Sequence, residues 1–262
     1  GLGDVYKRQV RPLFGRMARG SDPLETYALS RRGWTIVPFT YLNQFNLVME
    51  NPKPPVLFLS PADTRLRMDA LLATGQRRVL GIVAPPGAGK STLAQALQAD
   101  YAPHSQYLPM DGFHLAQAEL ERLGRAQRKG APDTFDSAGY TALLRRIRAQ
   151  GPGETVYAPD FNRALEEPIA GAIGIAADTP LVITEGNYLL LEDDGWAGVR
   201  GLLDEVWYLE VAQAVRQERL LARHMHFGRT REQALQWMAQ TDEPNARRIE
   251  ASRHRADAVL RG

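Results

Sequence analysis

The stretch from residue 79 to residue 92 constrains this chain most, because it combines a short apolar strand, a glycine-containing loop and the start of a helix. Residues 84–91 fit the P-loop pattern G-x-x-x-x-G-K-[ST], with Ala84 in place of the first glycine. Gly87 and Gly89 allow the backbone to approach phosphate oxygens closely, since they carry no Cβ atom. A helix N-terminus directly after the loop also favours anions. The stretch therefore predicts a binding site for the phosphates of a nucleotide.

The residue types of this loop each suit such a site. The predicted phosphate-binding residues are Gly87, Ala88, Gly89, Lys90, Ser91 and Thr92. Lys90 is expected to reach the β- and γ-phosphates, and the Ser91 hydroxyl to complete the shell of a Mg²⁺ ion. Pro85 and Pro86 have no N–H, so the donors must be the later amides. The competing interpretation, a plain Gly/Pro turn between a strand and a helix, leaves the lysine and the two hydroxyls unexplained.

Composition narrows the class of protein further. The chain has 262 residues, enough for one large α/β domain or two small ones. It contains no cysteine, which excludes disulfides and thiolate metal sites and suits a reducing cytoplasm. Residues 61–262 carry 24 basic and 26 acidic side chains, a balance that gives no support to nucleic-acid binding.

The chain also has no apolar run long enough to span a bilayer, and no cleavable signal peptide is evident. We therefore expect a cytoplasmic protein whose partner is a small-molecule substrate, with no nucleic-acid or membrane partner. The sequence does not fix the oligomeric state, and a homodimer stays open.

Residues 1–50 differ from the rest of the chain. The opening stretch DVYKRQ (4–9) resembles translated adapter sequence, and the Arg/Gly-rich piece after it has no sustained helical or strand period. We expect residues 1–50 to be a non-native or disordered extension and residues 51–262 to form the main domain. A genuine but irregular N-terminal extension is the alternative.

Downstream of this segment, apolar periodicity and turn residues predict strands that alternate with helices. The predicted helices are 61–76, 116–123, 138–150, 213–226, 231–239 and 245–254, the first with Leu66, Ala70, Leu71 and Leu72 as its apolar positions. The predicted strands are 79–83, 106–110, 180–186, 205–210 and 256–260, with an extended segment at 155–163. This alternation indicates βαβ units and therefore an α/β fold with a mainly parallel sheet.

Two carboxylates follow predicted strands, where ligands of such sheets bind. Asp111 lies directly after strand 106–110, and a helix N-cap is its structural alternative. Glu185 closes the apolar strand 180–186, where a Walker-B-type carboxylate would hold Mg²⁺. A purely structural role for Glu185 is less favourable, because a buried carboxylate without a partner is costly.

Several spaced blocks together resemble the phosphoribulokinase/uridine kinase family of P-loop kinases, especially its bacterial pantothenate-kinase-like, or nucleoside/nucleotide kinase, branch. The blocks are GAGKST (87–92), MDGFH (110–114), RKGAPDTFD (128–136), YAPDFNR (157–163), TEGNY (184–188) and LARH (221–224). The resemblance runs from about residue 79 to the C-terminus. It implies a P-loop NTPase three-layer sandwich with a helical lid.

The resemblance also implies roles for individual residues. Asp111 matches the base that deprotonates the acceptor hydroxyl, and Arg223 matches the lid arginine that clamps the transferred phosphoryl group. Arg219 lies four residues before Arg223 and is expected to contact the same phosphates. A solvated basic helix face, including Arg216, is the alternative for these arginines. The acceptor pocket is expected to contain His114, Tyr157, Asp160, Arg163 and Asn187, and for each of them a loop residue that makes local hydrogen bonds is the alternative. Asn245 and Arg248 are expected to approach the adenine.

The expected activity is that of an ATP- and Mg²⁺-dependent kinase that transfers the γ-phosphoryl group to a hydroxyl of a metabolite. Lys90, Asp111 and Arg223 are its expected catalytic residues, and Ser91 and Glu185 its expected metal ligands. A sugar, a nucleoside and a pantothenate-like compound all remain open as the acceptor. A regulatory P-loop NTPase with slow, acceptor-independent hydrolysis and a nucleotide-binding module without activity are the alternatives.

Overall fold

The computed structural model describes residues 57–261 in full, and the backbone of residues 15–19, 25–30 and 33–38. The chain divides into two units, at Pro54 and Pro55. In the first unit, strands β1 (Gly15–Arg19), β2 (Glu25–Ser30) and β3 (Gly33–Pro38) form an antiparallel sheet in the order β1-β2-β3. The sequence shows no strand period there. Much of residues 1–50 lies outside the described residues, so the expectation of a non-native or disordered extension stays a prediction.

The second unit alternates strands and helices along the chain. Its strands are β4 (Leu57–Leu59), β5 (Arg78–Val83), β6 (Ser105–Pro109), β7 (Thr155–Asn162), β8 (Glu167–Ala176), β9 (Leu181–Gly186), β10 (Glu205–Glu210) and β11 (Ala258–Arg261). Its helices are α1 (Pro61–Leu72), α2 (Lys90–Asp100), α3 (Gln117–Arg122), α4 (Ser137–Arg148), α5 (Gln213–His226), α6 (Arg231–Trp237) and α7 (Glu243–Ala251). A π-helical turn, Met238–Asp242, joins α6 to α7.

Six strands form one sheet in the order β4-β11-β10-β5-β9-β6, and every neighbouring pair is parallel. Strands β7 and β8 form a separate antiparallel hairpin. The predicted α/β class with a mainly parallel sheet is therefore confirmed. Strands β4 and β8 are additions that the sequence did not predict.

Side chains along the central strands point alternately to the two faces of the sheet. The fold therefore has three layers, namely the sheet and a covering layer on each of its faces. In β5, Val79 and Val83 belong to one buried cluster, whereas Leu80 and Ile82 belong to the other. Helices α1 and α2 cover the second cluster, and α4, α7 and the β7–β8 hairpin cover the first. Since both faces of a parallel sheet are buried, its strands are almost continuously apolar.

Helix α1 corrects one sequence expectation. A capping box between Ser60 and Asp63 starts it, and it ends at Leu72 rather than at residue 76. The buried positions are Thr64, Met68 and Leu71, which share one face at helical spacing. The predicted apolar position Leu66 is 68% exposed, because it lies on the opposite side of the helix.

No helix among the described residues is both long and apolar enough to cross a membrane.

Candidate functional site

The carboxyl ends of three neighbouring strands bring the predicted site together. Strand β9 lies between β5 and β6 in the sheet. The loop after β5 leads to Lys90, the turn after β6 carries Asp111, and Glu185 lies near the end of β9. This arrangement explains why residues far apart in the sequence share one site, at the edge of a parallel sheet where ligands bind.

The P-loop has the backbone that its glycines predict. Gly87 and Gly89 adopt φ angles of 81° and 92°, in the left-handed region that favours glycine, and α2 begins directly afterwards at Lys90. A Cβ atom on Gly87 would lie 2.5 Å from the carbonyl oxygen of Arg216 and 2.7 Å from Leu220 Cγ. Gly87 is therefore required for close packing of α5 against the loop as well as for the turn.

Glu185 is the most deeply buried charged group of the site. It is 1% exposed, and its Oε1 accepts hydrogen bonds from Ser91 Oγ and Tyr107 Oη, both at 2.8 Å. Lys90 Nζ lies 3.8 Å from Oε2, which accepts no hydrogen bond from the described residues. Burial raises the pKa of Glu185, although Lys90 partly opposes the shift.

These groups fit a divalent cation. The Ser91 hydroxyl and the Glu185 carboxylate are oxygen donors, the ligand type that Mg²⁺ prefers. Glu185 Oε2, which accepts no hydrogen bond in the part of the chain that the structure describes, is the kind of buried acceptor that a cation would satisfy.

Asp111 sits in a 3₁₀ turn, Met110–Phe113, directly after β6. Its carboxylate accepts a hydrogen bond from Arg163 Nη2 at 2.9 Å. Burial disfavours the charged form, but the charges of His114, once protonated, and of Lys90 and Arg163 outweigh it and lower the pKa of Asp111. The N-cap alternative is wrong, because α3 starts later in the chain with Ala116 as its cap residue and without a side-chain cap.

His114 follows Asp111 in this turn. Its Nδ1 lies 2.8 Å from the Asp111 carbonyl oxygen, so the Nδ1–H donates and Nε2 is left as an acceptor. The ring packs between Phe135 and Phe161, with ring centroids 4.0 and 4.8 Å away. Burial lowers the pKa of His114, which favours the neutral imidazole.

A cavity of about 590 Å³ opens over these groups. Six residues of the predicted site line it, namely Lys90, Asp111, His114, Arg163, Asn187 and Arg223. Asn187 Oδ1 is buried and accepts no hydrogen bond from the described residues. The structure thus brings the P-loop, the predicted base and the predicted lid arginine to one space.

Two predicted acceptor residues lie elsewhere, which corrects the sequence prediction. Tyr157 is 61% exposed, and the Asp160 carboxylate accepts a hydrogen bond from the neighbouring Phe161 N–H. Neither of them lines the cavity. The register of the hairpin shifts between Ala158 and Asp160, and beyond the shift the odd-numbered Phe161 and Arg163 face the cavity.

The three arginines of α5 have different surroundings. Arg223 lines the cavity, and among the described residues its side chain makes no hydrogen bond or ion pair. Arg219 Nη1 donates to the Ala88 carbonyl oxygen at 3.3 Å. Arg216 is only 2% exposed, so the solvated-face alternative does not hold for it.

The residues predicted near the adenine do not line the cavity either. Arg248 forms ion pairs with Asp193 and Asp194, at 2.8 and 2.7 Å, and Asn245 is buried. Both lie on α7, whose apolar side packs on the sheet.

Several cavity residues had no catalytic or binding role assigned from the sequence. Lys129, Phe161, Glu166, Arg229 and Trp237 all line the space. Lys129 and Phe161 lie inside blocks that carry the family resemblance, which was the available signal. Arg229 stacks on Trp237, 4.2 Å from the ring centroid, and only the tertiary structure reveals that both residues face the cavity.

Comparisons with known proteins agree with this geometry. No family model matches the chain. It is 36% identical to "Uncharacterized protein YggC" of Escherichia coli K12 over 190 residues, which cover 71% of this chain and 78% of that protein. It is 32% identical to the "Putative uridine kinase C227.14" of Schizosaccharomyces pombe over 201 residues, covering 72% and 85% of the two chains.

A solved structure is also similar to this chain. The crystal structure of a "putative fructose transport system kinase" from Silicibacter sp. TM1040 superposes with a TM-score of 0.65 at 37% identity, covering 71% of this chain and 90% of that one. Identity at this level over most of the relatives' length, together with the P-loop, the parallel sheet and the order of the blocks, leads to one conclusion. The chain belongs to the phosphoribulokinase/uridine kinase family of P-loop kinases.

Proposed function

We propose that this ATP-dependent kinase transfers the γ-phosphoryl group of Mg-ATP to a hydroxyl of a small metabolite. The observation that supports the proposal best is that Asp111, whose pKa nearby positive charges lower, faces the same cavity as Lys90 and Arg223. A kinase must hold an acceptor beside its carboxylate, whereas a hydrolase needs only water there, and Arg163 and Asn187 line the same cavity as groups on which an acceptor can bind. Sugars, nucleosides and pantothenate-like compounds are the proposed acceptor classes.

In the proposed reaction, protein side chains accept one proton and stabilise the negative charge of the transition state. Asp111 accepts the proton of the acceptor hydroxyl while that oxygen forms its bond to the γ-phosphorus. The bond from the γ-phosphorus to the β,γ-bridging oxygen breaks, and its electron pair leaves with ADP. Lys90 and Arg223 supply positive charge where negative charge develops in the transition state. Ser91 and Glu185 are the proposed ligands of Mg²⁺, which when bound neutralises charge on the phosphates.

The acceptor side of the cavity has matching polar groups. Asn187 Oδ1 is a buried acceptor that a hydroxyl of the metabolite can satisfy. Arg163 is about half-exposed and holds the Asp111 carboxylate, so an incoming hydroxyl must share or replace this contact. The neutral His114 offers Nε2 as a further acceptor.

The test is ATP turnover with a panel of hydroxylated metabolites that includes uridine and fructose, since two relatives are named for such compounds. We expect ADP release to depend on one acceptor class and the acceptor to gain the mass of a phosphoryl group. Asp111→Asn keeps the shape of the side chain, and it should lower kcat about 10²- to 10⁴-fold with ATP affinity nearly unchanged. Equal ADP release with and without every acceptor would instead support the NTPase alternative.

A further inference from the structure

Helix α5 packs directly against the back of the P-loop. The backbone of Arg216 approaches Gly87 so closely that a Cβ atom there would lie 2.5 Å from its carbonyl oxygen. Leu220, one turn later, approaches the same position at 2.7 Å. These two contacts fix the distance between α5 and the P-loop.

Two arginines of α5 then bind alternate carbonyl groups of the loop. Arg216 Nη1 donates to the Pro86 carbonyl oxygen at 3.2 Å, and Arg219 Nη1 donates to that of Ala88 at 3.3 Å. In a trans peptide the C=O and the following N–H point in opposite directions. The N–H groups of Gly87 and Gly89 therefore point away from the guanidinium groups.

This orientation matters for an anion site. Backbone N–H groups attract phosphate oxygens, whereas carbonyl oxygens repel them. A loop that cradles phosphates must turn its carbonyls outward, and these carbonyls need donors on the outside. The two guanidinium groups of α5 are such donors.

Arg216 differs from Arg219 because it is buried and because its guanidinium group also binds a carboxylate. Its Nη2 donates to both carboxylate oxygens of Glu243, at 2.9 and 3.1 Å, at the start of α7. The planar fork of the guanidinium group allows it to bind the carbonyl and the carboxylate at the same time. A buried ion pair is not in itself evidence that the pair stabilises the fold. The contact of the Arg216–Glu243 pair with the P-loop therefore needs an explanation other than stability.

We propose that Arg216 is a positioning residue for the P-loop: it keeps the Pro86 carbonyl turned away from the phosphates and fixes the loop to α7 through Glu243. The inference requires only that the P-loop binds nucleotide phosphates, so it does not depend on the identity of the acceptor. Arg216 itself does not line the cavity, and it acts through the backbone of the loop.

The test compares the binding of ATP, ADP and adenosine by titration calorimetry. The variant is Arg216→Met/Glu243→Gln, which removes both charges and leaves none buried alone. A hydrogen bond from a charged donor is lost, so we expect ATP and ADP to bind about 10- to 100-fold more weakly. Adenosine, which has no phosphates, should bind as it does to the unaltered protein.

Arg200→Met/Asp257→Asn is the control, because this pair, although more exposed, also joins an arginine to both oxygens of a carboxylate and lies in segments away from the P-loop. It should leave all three affinities unchanged. The proposal is overturned if the folded Arg216→Met/Glu243→Gln protein keeps its ATP affinity, or if adenosine loses affinity as much as ATP does.

Arg216→Lys covers the case in which the double variant does not fold. The ammonium group keeps the charge beside Glu243 but lacks the fork that reaches both partners. We expect a melting temperature close to that of the unaltered protein and a selective loss of ATP affinity. Unchanged ATP affinity in Arg216→Lys would contradict the proposal as well.

Discussion

At the scale of single residues, Arg163 is one of the groups that lower the pKa of Asp111, the proposed base. Arg163 Nη2 lies 2.9 Å from Asp111 Oδ2, and the tip of the β7–β8 hairpin that carries Arg163 is held in place. Lys129 Nζ donates to the Glu166 carbonyl oxygen at 2.7 Å, and the Glu167 carboxylate accepts from the Gln117 N–H at 3.0 Å. The hairpin therefore keeps a positive charge beside the carboxylate.

Removal of that charge should change the pH dependence of catalysis. Arg163 is one of the groups that lower the pKa of Asp111, so Arg163→Gln should raise this pKa. A general base works as the carboxylate, and activity falls as the pH drops through its pKa. We expect the acidic limb of the kcat/KM profile to move to higher pH in Arg163→Gln. Arg163→Lys keeps a charge and should move the limb less, whereas an unmoved limb in Arg163→Gln would exclude Arg163 as a determinant of the Asp111 pKa.

The sequence predicted much of the site at this scale, but with limits. The P-loop pattern identified Lys90, strand ends placed Asp111 at the edge of a parallel sheet, and the family resemblance supplied the role of Asp111 and the choice of Arg223. These signals failed for Tyr157 and Asp160, since a shift of register between strands is a property of the hairpin pairing and not of the segment alone. The burial of Arg216 was equally hidden, because it depends on Pro86 and Glu243.

At the scale of secondary-structure elements, Asp204 lies just before β10 and links this strand to β5 and α4. Its carboxylate accepts hydrogen bonds from the Val79 N–H of β5 at 2.8 Å, from Arg78 at 2.8 Å and from Arg148 of α4 at 2.9 Å. Burial opposes its ionisation, but these donors outweigh the effect and lower the pKa of Asp204. The strand that leads into the P-loop is thus anchored at its other end by a charged side chain.

Asp204→Asn should therefore destabilise the fold at neutral pH and do so less in acid. The lost charge-assisted hydrogen bonds correspond to about 2 kcal/mol in the free energy of unfolding. Because the pKa of Asp204 is lower in the folded protein, its contribution is present above its ordinary pKa and is lost as the pH falls through the folded value. Urea unfolding of both proteins at pH 7 and at acidic pH measures the difference. If the difference in the free energy of unfolding between the two proteins stays constant with pH, the charge of Asp204 does not contribute to stability.

The elements themselves were predictable to different degrees. Helix α5 has the predicted bounds, since its amphipathic period is continuous from residue 213 to residue 226. Strand β8 was missed because Glu167–Ala176 contains glycines and small residues and is exposed along most of its length. The π-helical turn between α6 and α7 has no sequence signal at all, and it explains why helices predicted at 231–239 and 245–254 begin or end elsewhere.

At the scale of the whole molecule, residues 55–262 contain the complete six-stranded sheet and both buried clusters. Strand β4 is the outermost strand on one side, where it pairs with β11 through Leu57, Phe58 and Leu59. Leu59 is buried in the cluster under α1. A compact unit with its own core is expected to fold alone, provided that all its strands are present.

Truncation tests whether the segment before this unit is dispensable. A chain that begins at Met49 retains β4, so we expect it to keep the melting temperature and the ATP affinity of the full chain. A chain that begins at Ser60 lacks β4, loses the burial of Leu59 and exposes the edge of β11. Since burial of one leucine is worth about 1.5–3 kcal/mol, the melting temperature of this control should fall by roughly 5 °C or more. Differential scanning calorimetry and nucleotide titration measure both quantities. A large loss in the chain that begins at Met49 would mean that residues 1–48 stabilise the kinase unit, and the expectation of a dispensable extension would then be wrong.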